Sequence, residues 1–220
     1  MEERTAIDMS DLLAEVQVPD MAGTLNLLAR GREQSRVSEK DKCLFGAKKR
    51  SAWDKDNEAR CDFYPKTKLV HRAGVWFFAL WQKSPMGRTL TDIKSDETEV
   101  KHFAKETASL IREVVGQHLD KGSWCIVTTP KRRHLTRNFA TLIADEIGIL
   151  LGIPFYEDVA ICKSRHRVNA EFELQLLPSE PNIIVFDDFV TTGSTLRSMK
   201  LLLEQYDKNL MLFSGINNKM

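Results

Sequence analysis

Ile183-Ile184-Val185-Phe186-Asp187-Asp188-Phe189-Val190-Thr191-Thr192-Gly193-Ser194-Thr195 is the stretch on which the reading of this chain turns. Its first four residues are all apolar, the pattern of a strand covered on both faces, as in a parallel sheet. Two adjacent carboxylates close the run. A loop of small and hydroxyl-bearing residues follows, and Ser194 to Tyr206 then reads as a helix. Open α/β sheets bind ligands just beyond the carboxyl ends of their strands. A helix start preceded by Thr, Gly and Ser offers unpaired N–H groups, hydroxyls and a positive dipole end, all suited to a phosphate. Acids beside it can accept from the vicinal hydroxyls of a sugar and hold a hydrated Mg²⁺. A ribose carrying a 5-phosphate asks for all of these groups together. Taken singly, Asp187 and Asp188 could sit on a solvated strand end, and Thr-Gly-Ser-Thr could be a simple helix cap. A P-loop is excluded, because Gly-Lys-Ser/Thr is absent.

Working outward from this segment, the pattern alternates. Asp96 with Glu99 fits a capping box. Val100, Phe103, Ala104, Ile111, Val114, Val115 and Leu119 then mark one face of a long helix, with Gly122 expected to stop it. Trp124 to Thr128 reads as a buried strand, followed by the basic loop Pro130 to Arg137. A second helix places Phe139, Ile143, Ile147, Leu150 and Leu151 inward and ends at Gly152 and Pro154. Phe155 to Ile161 is an expected strand, Cys162 to Asn182 a polar, basic loop or flap, and Leu210 to Phe213 a final strand. Strands alternating with helices predict an α/β fold with a mostly parallel sheet flanked by helices.

Residues 1–95 are less legible. Two short helices split by Pro19 are expected in residues 1–30, and a charged, irregular stretch over 31–68. Leu69 to Trp81 is apolar and aromatic and reads as buried, but its period does not decide between strand and helix. The expected organisation is an N-terminal helical or irregular elaboration over 1–95 and a core over 96–220.

Composition narrows the classes. Apolar residues make up 42% of the 220, enough for a sizeable core. A formal net charge of +1 argues against a dedicated nucleic-acid binder, although a local basic patch remains compatible with it. Cys43, Cys61, Cys125 and Cys162 form no CxxC pair, so neither a zinc ribbon nor a redox motif is signalled. The acidic first residues lack the apolar core of a signal peptide, and the longest apolar run, Gly74 to Trp81, is too short to span a bilayer. A soluble, cytoplasmic protein with no membrane partner is the expectation.

The Ile183–Thr195 segment resembles the signature of type I phosphoribosyltransferases: a hydrophobic strand, two acids and a threonine-glycine phosphate loop. Within that family the ComF-like branch is most similar. Its order is followed by PKRRHLTRNFATLIADEIGILLGIPF from Pro130, KSRHRVNAEFE from Lys163 and IIVFDDFVTTGST from Ile183, and the likeness covers about residues 96–216. The four-cysteine zinc module with which such proteins usually begin has no counterpart, so their association with DNA uptake does not transfer. The resemblance implies a type I phosphoribosyltransferase-like fold whose N-terminal elaboration acts as a hood. It implies displacement of pyrophosphate from 5-phosphoribosyl-1-pyrophosphate, at ribose C1, by a small-molecule acceptor such as a nitrogenous base. Asp187 and Asp188 would act on the ribose and hold Mg²⁺ through water. Thr191, Thr192, Gly193, Ser194 and Thr195 would hold the 5-phosphate. Lys131 and Arg132 in the first loop, with Lys163, Arg165 and Arg167 in the flap, would meet the pyrophosphate. Thr191 stands where enzymes acting on 6-oxopurines commonly carry an aspartate, which weakens the case for hypoxanthine or guanine. Trp76, Phe77, Phe78 and Trp81 could stack a base or simply belong to the core. A homodimer is compatible with the family. The alternative is a module that binds phosphoribosyl pyrophosphate or a nucleotide without turnover.

Overall fold

A run with no polar face has to be covered on both sides, and the fold provides this cover. The computed structural model describes residues 59–120, 122–131, 137–163 and 171–219. All of these lie in one unit, Arg50–Met220, and the other unit, Met1–Lys49, falls outside the described residues together with the helices expected there. Ten strands enter in chain order: β1 (Arg60–Cys61), β2 (Lys68–Arg72), β3 (Val75–Gln82), β4 (Arg88–Thr89), β5 (Trp124–Thr128), β6 (Phe155–Tyr156), β7 (Ala160–Cys162), β8 (Phe172–Leu174), β9 (Asn182–Val190) and β10 (Asn209–Asn217). The helices are α1 (Leu90–Ser95), α2 (Glu97–Val115), α3 (Phe139–Leu151) and α4 (Ser194–Glu204).

The main sheet is six-stranded, in the order β2-β3-β10-β9-β5-β6. Every pairing in it is parallel except β2 with β3, which forms an antiparallel hairpin at one edge. The hairpin turn is Ala73-Gly74, both at positive φ (49° and 80°), as a two-residue turn that follows strand twist requires. Alternation along β9 sends Ile184 and Phe186 to one face, where they pack with Phe103 and Ile111 of α2 and Ile143 and Ile147 of α3. Ile183 and Val185 face the other side, against Leu196, Met199 and Leu203 of α4. The result is the expected three-layer α/β arrangement.

Several expectations need correction. The boundary at 95/96 does not separate a hood from a core, because β3 pairs in parallel with β10 inside the main sheet. Leu69–Trp81 was ambiguous for a physical reason: burial in β3 alternates, with Val75, Phe77, Ala79 and Trp81 inward, but the more open face also carries apolar Trp76, Phe78 and Leu80, so the sequence shows no period of two. Phe77 and Trp81 are accordingly core residues, at 1% and 2% exposure, while Trp76 lies open and packs on His71 with ring centroids 4.7 Å apart. Helix α2 stops at Gly116 (φ 61°), well before Gly122. Asp96 caps it by accepting from the Thr98 N–H, but the capping box is not closed, because Glu99 is taken by Arg88 at 2.8 Å. Leu150 is exposed rather than inward. The strand expected over Phe155–Ile161 is split into β6 and β7.

Candidate functional site

Strand β9 runs through Asp187 and Asp188 to Val190, and three residues later Gly193 starts α4 at φ +82° with no side-chain cap. The strand period turns the two acids to opposite faces of the sheet. Asp187 accepts from the Thr129 hydroxyl at 3.1 Å, at the carboxyl end of β5. Asp188 is buried at 8% exposure. Its Oδ1 accepts from the Phe189 N–H at 2.9 Å, and its Oδ2 pairs with the Lys94 ammonium at 2.8 Å. Lys94, on α1, reaches there across the Phe189 ring, 4.5 Å from its centroid.

The loop is built from hydroxyls and backbone. Thr192 Oγ1 lies 2.9 Å from Ser194 Oγ and accepts from the Ser194 N–H at 3.3 Å. Thr191 Oγ1 accepts from Asn218 Nδ2 at 3.2 Å, and Asn218 also donates its backbone N–H to Val190 O at 2.8 Å. Thr191 and Thr192 are exposed, and Ser194 and Thr195 are half-buried. A Cβ on Gly193 would lie 3.0 Å from Cβ of Arg72. Helix α4 therefore begins beside the strand end that carries the acids, with hydroxyls around its first N–H groups and that of Ser194 met by Thr192.

The basic loop behaves differently. Lys131 is half-buried between Glu157, which it contacts very closely, and Asp158 at 3.2 Å. Desolvation pulls its pKa down, but the bonds and charges of Glu157 and Asp158 outweigh that and hold it above the ordinary lysine value. Arg137 pairs with Asp145 at 2.6 Å and Glu157 at 3.2 Å. Lys131, expected to meet the pyrophosphate, is thus paired with two acids. Arg132 lies outside the described residues. The flap has a stem, the antiparallel pair β7–β8, with Lys163 bonded to Glu171 O through its N–H and to Glu173 through its ammonium. Arg165, Arg167 and the rest of the tip, 164–170, also lie outside the described residues.

Sequence reasoning missed Lys94 and Arg72. Lys94 sits in the mixed-charge run Thr91–Asp96, where nothing distinguishes it from a solvated lysine. Arg72 closes an edge strand more than a hundred residues from the loop, and only topology joins them. Thr129 carried a weak signal, as the first residue past a buried strand.

Among the described residues no group of three or more His, Cys, Asp or Glu side chains is arranged to hold a metal ion. Hydrated Mg²⁺ usually takes one or two carboxylates and completes its shell with water and substrate phosphates; here Asp187 and Asp188 face opposite sides of the sheet, and Asp188 is paired with Lys94. No described helix is long and apolar enough to cross a membrane.

No protein-family model matches the sequence, and no curated protein matches it. Solved structures similar to it include an adenine phosphoribosyltransferase at 15% identity, over 75% of this chain and 88% of that one, with a TM-score of 0.43. The adenine phosphoribosyltransferase of Saccharomyces cerevisiae is 16% identical over 68% of this chain and 82% of its own, with a TM-score of 0.40. The orotate phosphoribosyltransferase of Aeropyrum pernix is 16% identical over 73% and 76%, with a TM-score of 0.38. Likeness this distant leaves the chemistry of the site to be read from its own residues.

Proposed function

We propose that this chain is a phosphoribosyltransferase that binds 5-phosphoribosyl-1-pyrophosphate at the β9–α4 junction and transfers the phosphoribosyl group to a small nitrogenous acceptor. The supporting observation is the meeting of two carboxylates near a strand end with a helix start at Gly193, a residue with no side chain to cap it, three residues past the strand. The N–H groups of that start, with Thr192 and Ser194, would take the 5-phosphate. Asp187, oriented by Thr129, would accept from the ribose hydroxyls. Mg²⁺, held through water by Asp187 and Asp188, would supply positive charge to the departing pyrophosphate. Since Lys131 is tied to Glu157 and Asp158, the first loop supports the site through the network around α3, and protein cations for the pyrophosphate come from Arg132 and the flap tip. The likeness to the ComF-like branch rests on the segments from Pro130, Lys163 and Ile183.

The Lys94–Asp188 pair favours a second reading. An ammonium on Asp188 repels a divalent cation at the same carboxylate, as suits a module that binds the ligand without turning it over.

Calorimetric titration of the full chain with phosphoribosyl pyrophosphate and Mg²⁺, beside the Asp187→Asn/Asp188→Asn double variant, tests the assignment. Binding by the wild type and its loss in a double variant with an unchanged circular dichroism spectrum is the expected result. Equal affinity in both sinks the site. Pyrophosphate release over a panel of bases then separates the transferase from the binding module.

A further inference from the structure

Arg72 is a half-buried charge held by backbone carbonyls. It ends the edge strand β2, and its guanidinium donates from Nη1 to Thr191 O at 2.8 Å and to Val190 O at 3.4 Å, and from Nη2 to Lys219 O at 3.5 Å. Among the described residues no carboxylate pairs with it. Burial alone draws its pKa below the ordinary arginine value. The other basic side chains placed near the expected anion sites, Lys94, Lys131 and Lys163, each have a carboxylate within ion-pair distance.

The carbonyls that Arg72 holds belong to the loop before α4. In a trans peptide the C=O and the following N–H lie in one plane and point in opposite directions. Pulling the Val190 and Thr191 carbonyls toward the guanidinium therefore turns the Thr191 and Thr192 N–H groups away from it. Without that hold a free carbonyl could face the anion and repel it. The backbone of β2 is also pressed against the loop, since a Cβ on Gly193 would lie 3.4 Å from Arg72 O.

We propose that Arg72 is a positioning residue for a phosphate monoester: it fastens the loop carbonyls behind the site, aims the loop N–H groups at the phosphate, and finds in that phosphate its missing counter-charge. The β2–β3 hairpin thereby becomes part of the anion site. This rests on reading the Thr191–Thr195 loop as the phosphate loop.

The test uses the full chain titrated with inorganic phosphate and with ribose 5-phosphate, comparing wild type, Arg72→Met and Arg72→Lys at low and high salt. Arg72→Met is expected to weaken both ligands about tenfold at low salt, because the positive charge behind the loop and its hold on the carbonyls are lost together. The gap should narrow at high salt, where screening removes the charge contribution, a response that a purely structural role would not give. Arg72→Lys should recover part of the affinity, since lysine keeps the charge but lacks the planar fork that spans two carbonyls. Thermal unfolding of each variant reports the fold separately. If Arg72→Met does not fold, Arg72→Lys decides, with a loss of about threefold expected. Wild-type affinity in the variant that decides overturns the proposal while leaving the phosphate loop standing. Absence of phosphate binding by the wild type overturns the loop assignment itself, and this inference with it.

Discussion

At Gly193 a side chain would meet two obstacles at once. The backbone sits at φ +82°, which costs an L-residue about 1–2 kcal/mol, and the added Cβ would crowd Arg72 at 3.0 Å. Gly193→Val is therefore expected to lower stability by about 2–3 kcal/mol from strain and overpacking together. It should also abolish ribose 5-phosphate binding at temperatures where the variant is still folded. Retained binding in calorimetry would place the phosphate elsewhere. This glycine was legible in the sequence because its neighbours, Thr192 and Ser194, share its purpose. Lys94 was not legible: its role depends on where α1 rests against β9, a tertiary fact that its neighbours in the chain do not encode. The same holds for the buried thiols. Burial pushes Cys61 up to about 11 and Cys125 to about 12, which makes them inert, whereas their spacing showed only that no metal motif is present.

Among the elements, the two helices that the sequence marked most clearly, α2 and α3, have a full apolar stripe and a cap at each end. Their register was readable from Phe103, Ile111, Ile143 and Ile147, all fully buried. The pairing of Lys131 in the basic loop between β5 and α3 was not legible because its acidic partners, Glu157 and Asp158, come after the next strand. Lysine in the sequence looked available, while in the fold it is neutralised. This network carries a pH signature. The Lys131 hydrogen bond, joined by its charge and by Arg137, holds the Glu157 carboxyl below its ordinary range despite some desolvation. A depressed carboxylate contributes stability that is present above its unfolded pKa and lost as pH falls through the folded one. The loss therefore falls below about pH 4, the ordinary glutamate value. Glu157→Gln should flatten the acid limb of the stability curve there and lower stability modestly at pH 7. Urea unfolding at a series of pH values checks this, and an unchanged acid limb would show that the pair is silent.

In the sheet as a whole, β10 lies between β3 and β9, so the strand pairing of its two halves runs through it. Gly215 is the tightest point of that junction. A Cβ there would stand 2.8 Å from Asp188 O and 2.9 Å from the Phe103 ring. Gly215→Val is expected to cost about 1–3 kcal/mol by overpacking and to disturb Asp188 from behind. Because β10 joins both halves, amide exchange should quicken together in β3 and in β5. Acceleration confined to β3 would mean that the hairpin edge opens independently of the rest. The position of β10 also governs the order of events at the ribosome. Gln82 and Asn217, side-chain partners across β3 and β10, are 135 positions apart. During synthesis β3 emerges with only β2 beside it, and β9 emerges with its inner edge bare, until the residues from Asn209 onward appear. Neither exposed edge can be closed before β10 follows, so the β3 edge stays bare over the long stretch between Gln82 and Asn217 and the β9 edge joins it for the short stretch before Asn209. Completion of the sheet is a single late step, and the yield of soluble protein will depend on how well the cell shelters the chain until it occurs.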